Sequence, residues 1–295
     1  MPATFAIKAS ALAVVDDLSL VAKTVVEGFF DGLHRSPFLG YSTEFSAYRP
    51  YVQGDNLRYV DWKVWGRTEQ YYVKQFEDDT NVRCHIFLDT SASMDFGTDD
   101  AHKFNYARTL AAVLSYLMVR QHDAPGLILF GAQSRQAAPS SSTRHHADEI
   151  LSLLTHAQAG GQNNFDQHLY QIAQTITRRG FAVVISDFLG AADGAFELLR
   201  QLHGQGQEVL VFHLLAPEEL DLPYEGEFIM EDAESGLEIP VHPESFRSEY
   251  KKRLEEFCER VRKHCIGLEI EYQRLSTDAP LDFALMTYLE KRAAL

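Results

Sequence analysis

Asp89, Ser91 and Ser93 offer one carboxylate and two hydroxyls at alternate positions, directly after the apolar run Cys84-His85-Ile86-Phe87-Leu88 and ahead of a long helical pattern. Hard divalent cations take oxygen ligands of this kind. In an extended chain the three side chains fall on one side, and a tight turn curls their oxygens toward one point. Mg²⁺ uses few protein ligands and keeps its waters, so this set leaves the ion electrophilic, with positions open to an outside oxygen; Mn²⁺ and Ca²⁺ are alternative occupants. The same residue types also build an Asx or Ser turn that caps a following helix, and the spacing alone allows both.

The elements that must position these residues are legible from residue 81 onward. Apolar runs at 82–89, 125–131, 181–187 and 208–215 read as strands, and helical patterns fall at 103–122, 147–155, 166–178 and 192–203. Alternation of this kind predicts an α/β fold, a doubly wound, mostly parallel sheet flanked by helices. Ligands in such sheets sit at the carboxyl ends of the strands, near the topological switch point. Asp89 and Asp187 each end a predicted strand, so both reach that rim. Between those strands the loop Gly160-Gly161-Gln162-Asn163-Asn164-Phe165 can bring an amide carbonyl to the same place. Asn163 or Asn164 also suits a helix cap, and the two roles are compatible.

After the strand at 208–215, the segment 218–238 holds nine acidic residues and neither Lys nor Arg. A short hairpin is expected inside it, 227–230 with 237–241, either as a solvated face or as a projection that docks a basic surface. A helix at 243–263, a strand at 267–273 and a helix at 280–292 follow. At the other end, Leu12, Val15, Leu18, Val21, Val25 and Phe29 give an amphipathic helix, for packing on the body or on a partner. Residues 32–80 do not follow the strand and helix rhythm, which suggests an N-terminal extension over 1–80 and a main domain over 81–295 with an acidic hairpin insert near 218–242. Within the extension, Asp55, Arg58 and Asp61 lie three apart and pair in a helical turn, and 71–76 reads as a strand that joins the sheet. Together with Arg49 they form either a partner-binding surface or a scaffold.

Composition narrows the functional classes. The chain has 295 residues and a net charge of -15, which argues against a general nucleic-acid binder. Cys84, Cys258 and Cys265 lack metal-ligand spacing and read as packing residues in a reducing compartment. No apolar run near the start reaches the roughly 18 residues of a membrane span, so the expected location is cytoplasmic. His145-His146 reads as a loop pair.

Taken together, Gly32 to Ser36, Glu44-Phe45, Arg49-Pro50-Tyr51, Gly54-Asp55 through Arg58 to Asp61-Trp62, Asp89 to Met94, Ile185-Ser186-Asp187 and Thr277 to Leu281 resemble the DUF58 family, relatives of von Willebrand factor A domains often found beside MoxR-type AAA+ ATPases. The resemblance implies a metal-ion-dependent adhesion site (MIDAS) made of Asp89, Ser91, Ser93, the 161–165 loop and Asp187. Where the family has threonine, this chain carries Asn163, whose carbonyl is an Mg²⁺ ligand of longer reach without a hydroxyl. It also implies a non-catalytic interaction module, serving as adaptor of a MoxR-type ATPase acting on client complexes. No Walker-type run is present, so ATP-driven work belongs to a partner. Two rivals remain: a metal-dependent phosphohydrolase, which lacks its acid because Ser91 stands where a second aspartate is needed, and a metal-free structural subunit.

Overall fold

The computed structural model describes residues 17–34, 48–50, 72–74, 82–98, 101–131, 136–160, 176, 178–189, 192–231 and 237–293. Asp55, Arg58, Asp61 and Asn163 lie outside them, as does most of the helix expected over 166–178; Ile176 and Arg178, which are described, are not helical.

Six strands form the central sheet: β3 (Arg83–Asp89), β4 (Ala124–Phe130), β5 (Gln136–Ala138), β6 (Phe181–Ser186), β7 (Glu208–Leu215) and β10 (Glu271–Ser276). Their order is β10-β7-β6-β3-β4-β5, parallel except for β5, which runs antiparallel on β4. Numbered along the chain this is the doubly wound order 3-2-1-4-5-6, with its switch point between β3 and β6. The inner strands are continuously apolar because both faces are covered. Ile86, Leu88, Val183, Ile185, Leu210 and Phe212 face one helical layer, and Phe87, Val184 and Val211 face the other.

On the first face lie α1 (Leu18–His34), α2 (Lys103–Arg120), α3 (Arg144–His156) and α7 (Asp282–Ala293). α2 is buried along nearly its whole length, and α1 packs on it through Val21, Ala22, Val25 and Val26. The amphipathic helix therefore serves the body. The second face is covered by α4 (Ala192–Gly204) and by α6 (Pro243–Gly267), with Leu198, Leu199, Val261 and Cys265 in its core.

Several expectations are corrected. The strand at 72–74 (β2, Tyr72–Lys74) pairs with β1 (Tyr48–Pro50) in a separate two-stranded sheet instead of joining the central one. The last strand starts at Glu271, not 267, because the apolar stripe Cys258, Val261 and Cys265 keeps α6 helical through Gly267. His145 and His146 belong to α3, where buried His146 bonds the carbonyl of Pro125 at 3.1 Å. The acidic run holds a short helix, α5 (Pro217–Asp221), besides the hairpin of β8 (Phe228–Glu231) and β9 (Glu238–Val241). All three cysteines are free and buried, and burial pushes the thiols of Cys84 and Cys265 up to about 12.

At the edge opposite the switch-point rim, Arg292 of α7 donates to buried Asp123 through Nε at 2.5 Å and Nη2 at 2.9 Å. Removing one member of such a pair leaves an unmatched charge. Asp123→Ala is expected to lower stability by about 3 kcal/mol in chemical denaturation. An unchanged midpoint would show that α7 is held by its apolar face alone.

Candidate functional site

β3 delivers Asp89 to the rim, and the chain turns at once. Asp89 Oδ1 accepts the Ser91 backbone N–H at 2.8 Å, so the Asx turn is realised, and a 3₁₀ turn follows at Ala92–Met94. Thr90 pins this loop to the end of β4, its N–H and its hydroxyl both donating to the Phe130 carbonyl. Gly131, next along, has φ +134°, and a Cβ there would lie 2.8 Å from the Ser91 nitrogen. A side chain at that point displaces the loop. Gly160 donates its N–H to the Thr90 carbonyl at 3.1 Å.

Next door, β6 delivers Ser186 and Asp187. The Ser186 hydroxyl donates to Asp89 Oδ2 at 2.5 Å, and Ser93 donates to Asp187 Oδ1 at 3.1 Å. The Ser91 and Ser93 hydroxyls are 3.0 Å apart. The structure thus brings Asp89, Ser91, Ser93 and Asp187 together, while Asn163 lies outside the described residues. Arg49 is in β1, in the separate small sheet, and Asp55, Arg58 and Asp61 are not described.

Sequence reasoning missed the cation in this cluster. Lys103, the first residue of α2, is fully buried, and its Nζ donates to Asp187 Oδ2 at 2.6 Å and to Glu219 Oε1 at 2.7 Å. Burial pulls the Lys103 pKa down, but the charges of Asp187 and then Glu219 outweigh it, and the net shift is upward. A signal existed: a lysine opening a helix sits at the wrong end of the helix dipole and implies a carboxylate beside it. Glu219 belongs to α5 and also accepts the Ala216 N–H at 2.8 Å, so one acidic residue of the run is part of the site and not of a solvated face.

The residues fit a small oxygen-seeking cation. Oxygens adjacent on an octahedron with bonds of about 2.1 Å lie about 3.0 Å apart, the spacing of Ser91 to Ser93 and of Ser93 to Asp187. The donors are hydroxyls and carboxylates, and no group of three or more His, Cys, Asp or Glu is placed to hold a metal ion among the described residues, so the serine hydroxyls are needed to complete the set. Asp89 stands behind these donors, both oxygens already accepting protein hydrogen bonds. Burial first, and the charge of Asp187 second, push it up to about 7.

A doubly wound α/β domain with an oxygen-rich turn at its switch point is the class that fold and site define. The chain belongs to the family described as "Protein of unknown function DUF58", whose profile matches residues 47–259. An uncharacterised protein of Mycobacterium tuberculosis (strain H37Rv) is 30% identical over 236 residues, covering 78% of this chain and 74% of that protein. One from Mycobacterium avium is 31% identical over 104 residues, covering 34% and 59%. Among solved structures, the conserved hypothetical protein BatB of Bacteroides thetaiotaomicron matches with TM-score 0.45 at 20% identity, over 72% of this chain and all of that one. The VWA domain of SpRpn10 matches with TM-score 0.36 at 16% identity, over 46% and 76%. Among the described residues no helix is long and apolar enough to cross a membrane.

Two outcomes follow from the buried charges. Lys103→Met leaves Asp187 and Glu219 without their counter-charge, and the expected loss is about 3–5 kcal/mol in urea denaturation at neutral pH; a neutral result would remove the lysine from its central place. For Asp89, the folded chain keeps a proton between about pH 4 and 7 that the unfolded chain has released, so this group favours folding at low pH and its contribution fades as pH rises toward 7. In chelator, Asp89→Asn is therefore expected to flatten the fall in stability over that range, by roughly 4 kcal/mol at most. Parallel curves for the two proteins would contradict the assignment.

Proposed function

We propose that this protein is a non-catalytic interaction module that binds one divalent cation, Mg²⁺ or in its place Mn²⁺ or Ca²⁺, and through it an acidic side chain of a partner protein. The observation that carries the reading is a charge balance. Asp187 and Glu219 share one ammonium, Lys103, while the carboxyl of Asp89 is bonded by Ser186 and feels the charge of Asp187, so two negative charges remain once Asp89 is ionised. One divalent cation matches them. When bound, the ion supplies a Lewis-acidic position that an outside carboxylate completes.

The chain's own residues prepare that position. Ser91, Ser93 and Asp187 Oδ1 hold the oxygens at ligand spacing, and Asn163 adds a carbonyl from its loop in this reading. Lys103 takes the other oxygen of Asp187 and offsets part of its charge, which leaves the ion more in need of a further anionic ligand. Asp89 orients the turn through the Ser91 N–H and is held in turn by Ser186.

The same geometry weighs against a phosphohydrolase. A nucleophilic carboxylate needs a free oxygen aimed outward, and Asp89 is 1% exposed with both oxygens engaged. The metal-free structural reading has one observation on its side, because Lys103 already supplies a cation to Asp187; it leaves the charge of Asp89 unmatched. For the partner we infer a MoxR-type AAA+ ATPase or its client, on the strength of the family resemblance. The three buried free thiols accord with a reducing, cytoplasmic setting.

Isothermal titration of Mg²⁺ and Mn²⁺ into chelator-treated protein tests the reading. Saturable binding at one site is expected, lost in Asp89→Ala and in Ser91→Ala/Ser93→Ala. Absence of binding up to millimolar metal would return the site to the structural reading, with Lys103 as its cation.

A further inference from the structure

The acidic segment leaves the site through α5 and ends in a hairpin whose exposure the site does not explain. In it Phe228 pairs with Val241, Ile229 with Pro240, Met230 with Ile239, and Glu231 with Glu238. Partners across an antiparallel ribbon share a face, and neighbours along a strand alternate. One face therefore carries Phe228, Met230, Ile239 and Val241, all apolar, and the other carries Ile229 and Pro240 followed by the two glutamates. Most antiparallel sheets hide one face. Here Ile239 is 51% exposed on the first face and Ile229 is 69% exposed on the second.

This exposure is not loose attachment. Arg247 of α6 donates to the carbonyls of Leu222 and Tyr224 at 3.0 and 2.8 Å, and Glu244 accepts the Gly226 N–H at 2.6 Å. The stem is tied down and the blade stands out. Two features of the blade cost stability in isolation: a two-stranded ribbon is marginal in water, and Glu231 directly opposite Glu238 sets like charges together. A partner that covers the apolar faces and brings positive charge to the glutamates relieves both. Interfaces of this kind have an apolar centre and a charged rim.

We propose that the paired strands Phe228–Glu231 and Glu238–Val241 are a docking blade for a protein surface that is apolar at its centre and rimmed by Lys or Arg. The occupant is basic because the blade itself carries Glu231 and Glu238, and the segment 218–238 has neither Lys nor Arg; of its nine acidic residues, Glu219 is already paired with Lys103 and Asp221 with Lys251. A second copy of a chain with net charge -15 is disfavoured by the same charge, and so is an anionic lipid surface. Binding here needs no divalent cation, so it stands or falls separately from the switch-point site.

The test uses the full chain in chelator, titrated into a labelled amphipathic helical peptide with Leu on one face and Lys along its flanks. A matched peptide with Glu for Lys serves as control. Saturable binding to the Lys peptide alone is expected, weakened at least about tenfold by Ile229→Ser/Ile239→Ser. Glu231→Lys/Glu238→Lys keeps the apolar residues and is expected to weaken it similarly, with urea midpoints confirming that both variants fold. Absence of binding, equal binding by the variants, or loss only in Asp89→Ala overturns the proposal. So does dimerisation in sedimentation, or binding to phosphatidylcholine vesicles, that Ile229→Ser/Ile239→Ser abolishes.

Discussion

The ammonium of Lys103 lies between two carboxylates inside the protein, and three separate elements meet on it. It belongs to the first turn of α2; Asp187 follows β6, and Glu219 comes from α5. An isolated buried charge costs far more than one pair returns, so the lysine is tolerable only because both acids reach it. Its ammonium also lies 5.5 Å from the centre of the Phe96 ring, in the loop that follows the Asp89 turn. Lys103 holds one oxygen of Asp187, and the Leu189 N–H and the Ser93 hydroxyl hold the other.

That arrangement changes how the switch point is understood. Two aspartates brought to one rim repel unless a proton or a cation intervenes. A tethered cation answers part of that repulsion; burial first, and the remaining repulsion from Asp187 second, hold Asp89 far above the usual carboxylate range. Lys103 also links the site to the segment beyond it. Glu219 holds the start of the acidic run at the rim, Thr98 holds Glu218 at 2.9 Å, and Arg247 fixes the stem a few residues on. The segment that carries the exposed hairpin is thus tied to the rim through Glu218 and Glu219.

Much of this was readable in the sequence, for physical reasons that differ by element. β3, β6 and β7 declare themselves because burial on both faces demands unbroken apolar runs, and with them come the switch point and the places of Asp89 and Asp187. β5 is three residues of no strong preference, stabilised by its pairing to β4, so pattern reading passes over it. β10 was misplaced because the alternation of Leu268 and Ile270 mimics a strand, whereas the stripe that packs α6 keeps the helix going to Gly267 and the strand begins only at Glu271. Lys103, Glu219 and Ser186 went unread since their roles exist only once distant segments meet. A lysine and a glutamate 116 positions apart carry no local signature, and only the awkward place of Lys103 at a helix start hinted at a partner.

The central claim is that the oxygens of Ser91, Ser93 and Asp187 hold a divalent cation beside a resident lysine. The most direct measurement is anomalous diffraction from crystals of the protein grown with Mn²⁺, collected at the manganese edge. The account predicts one peak about 2.2 Å from the Ser91 and Ser93 hydroxyl oxygens, with Lys103 still on the far oxygen of Asp187. A site without a peak, with the ammonium filling the space between the two serines and Asp187, would contradict it.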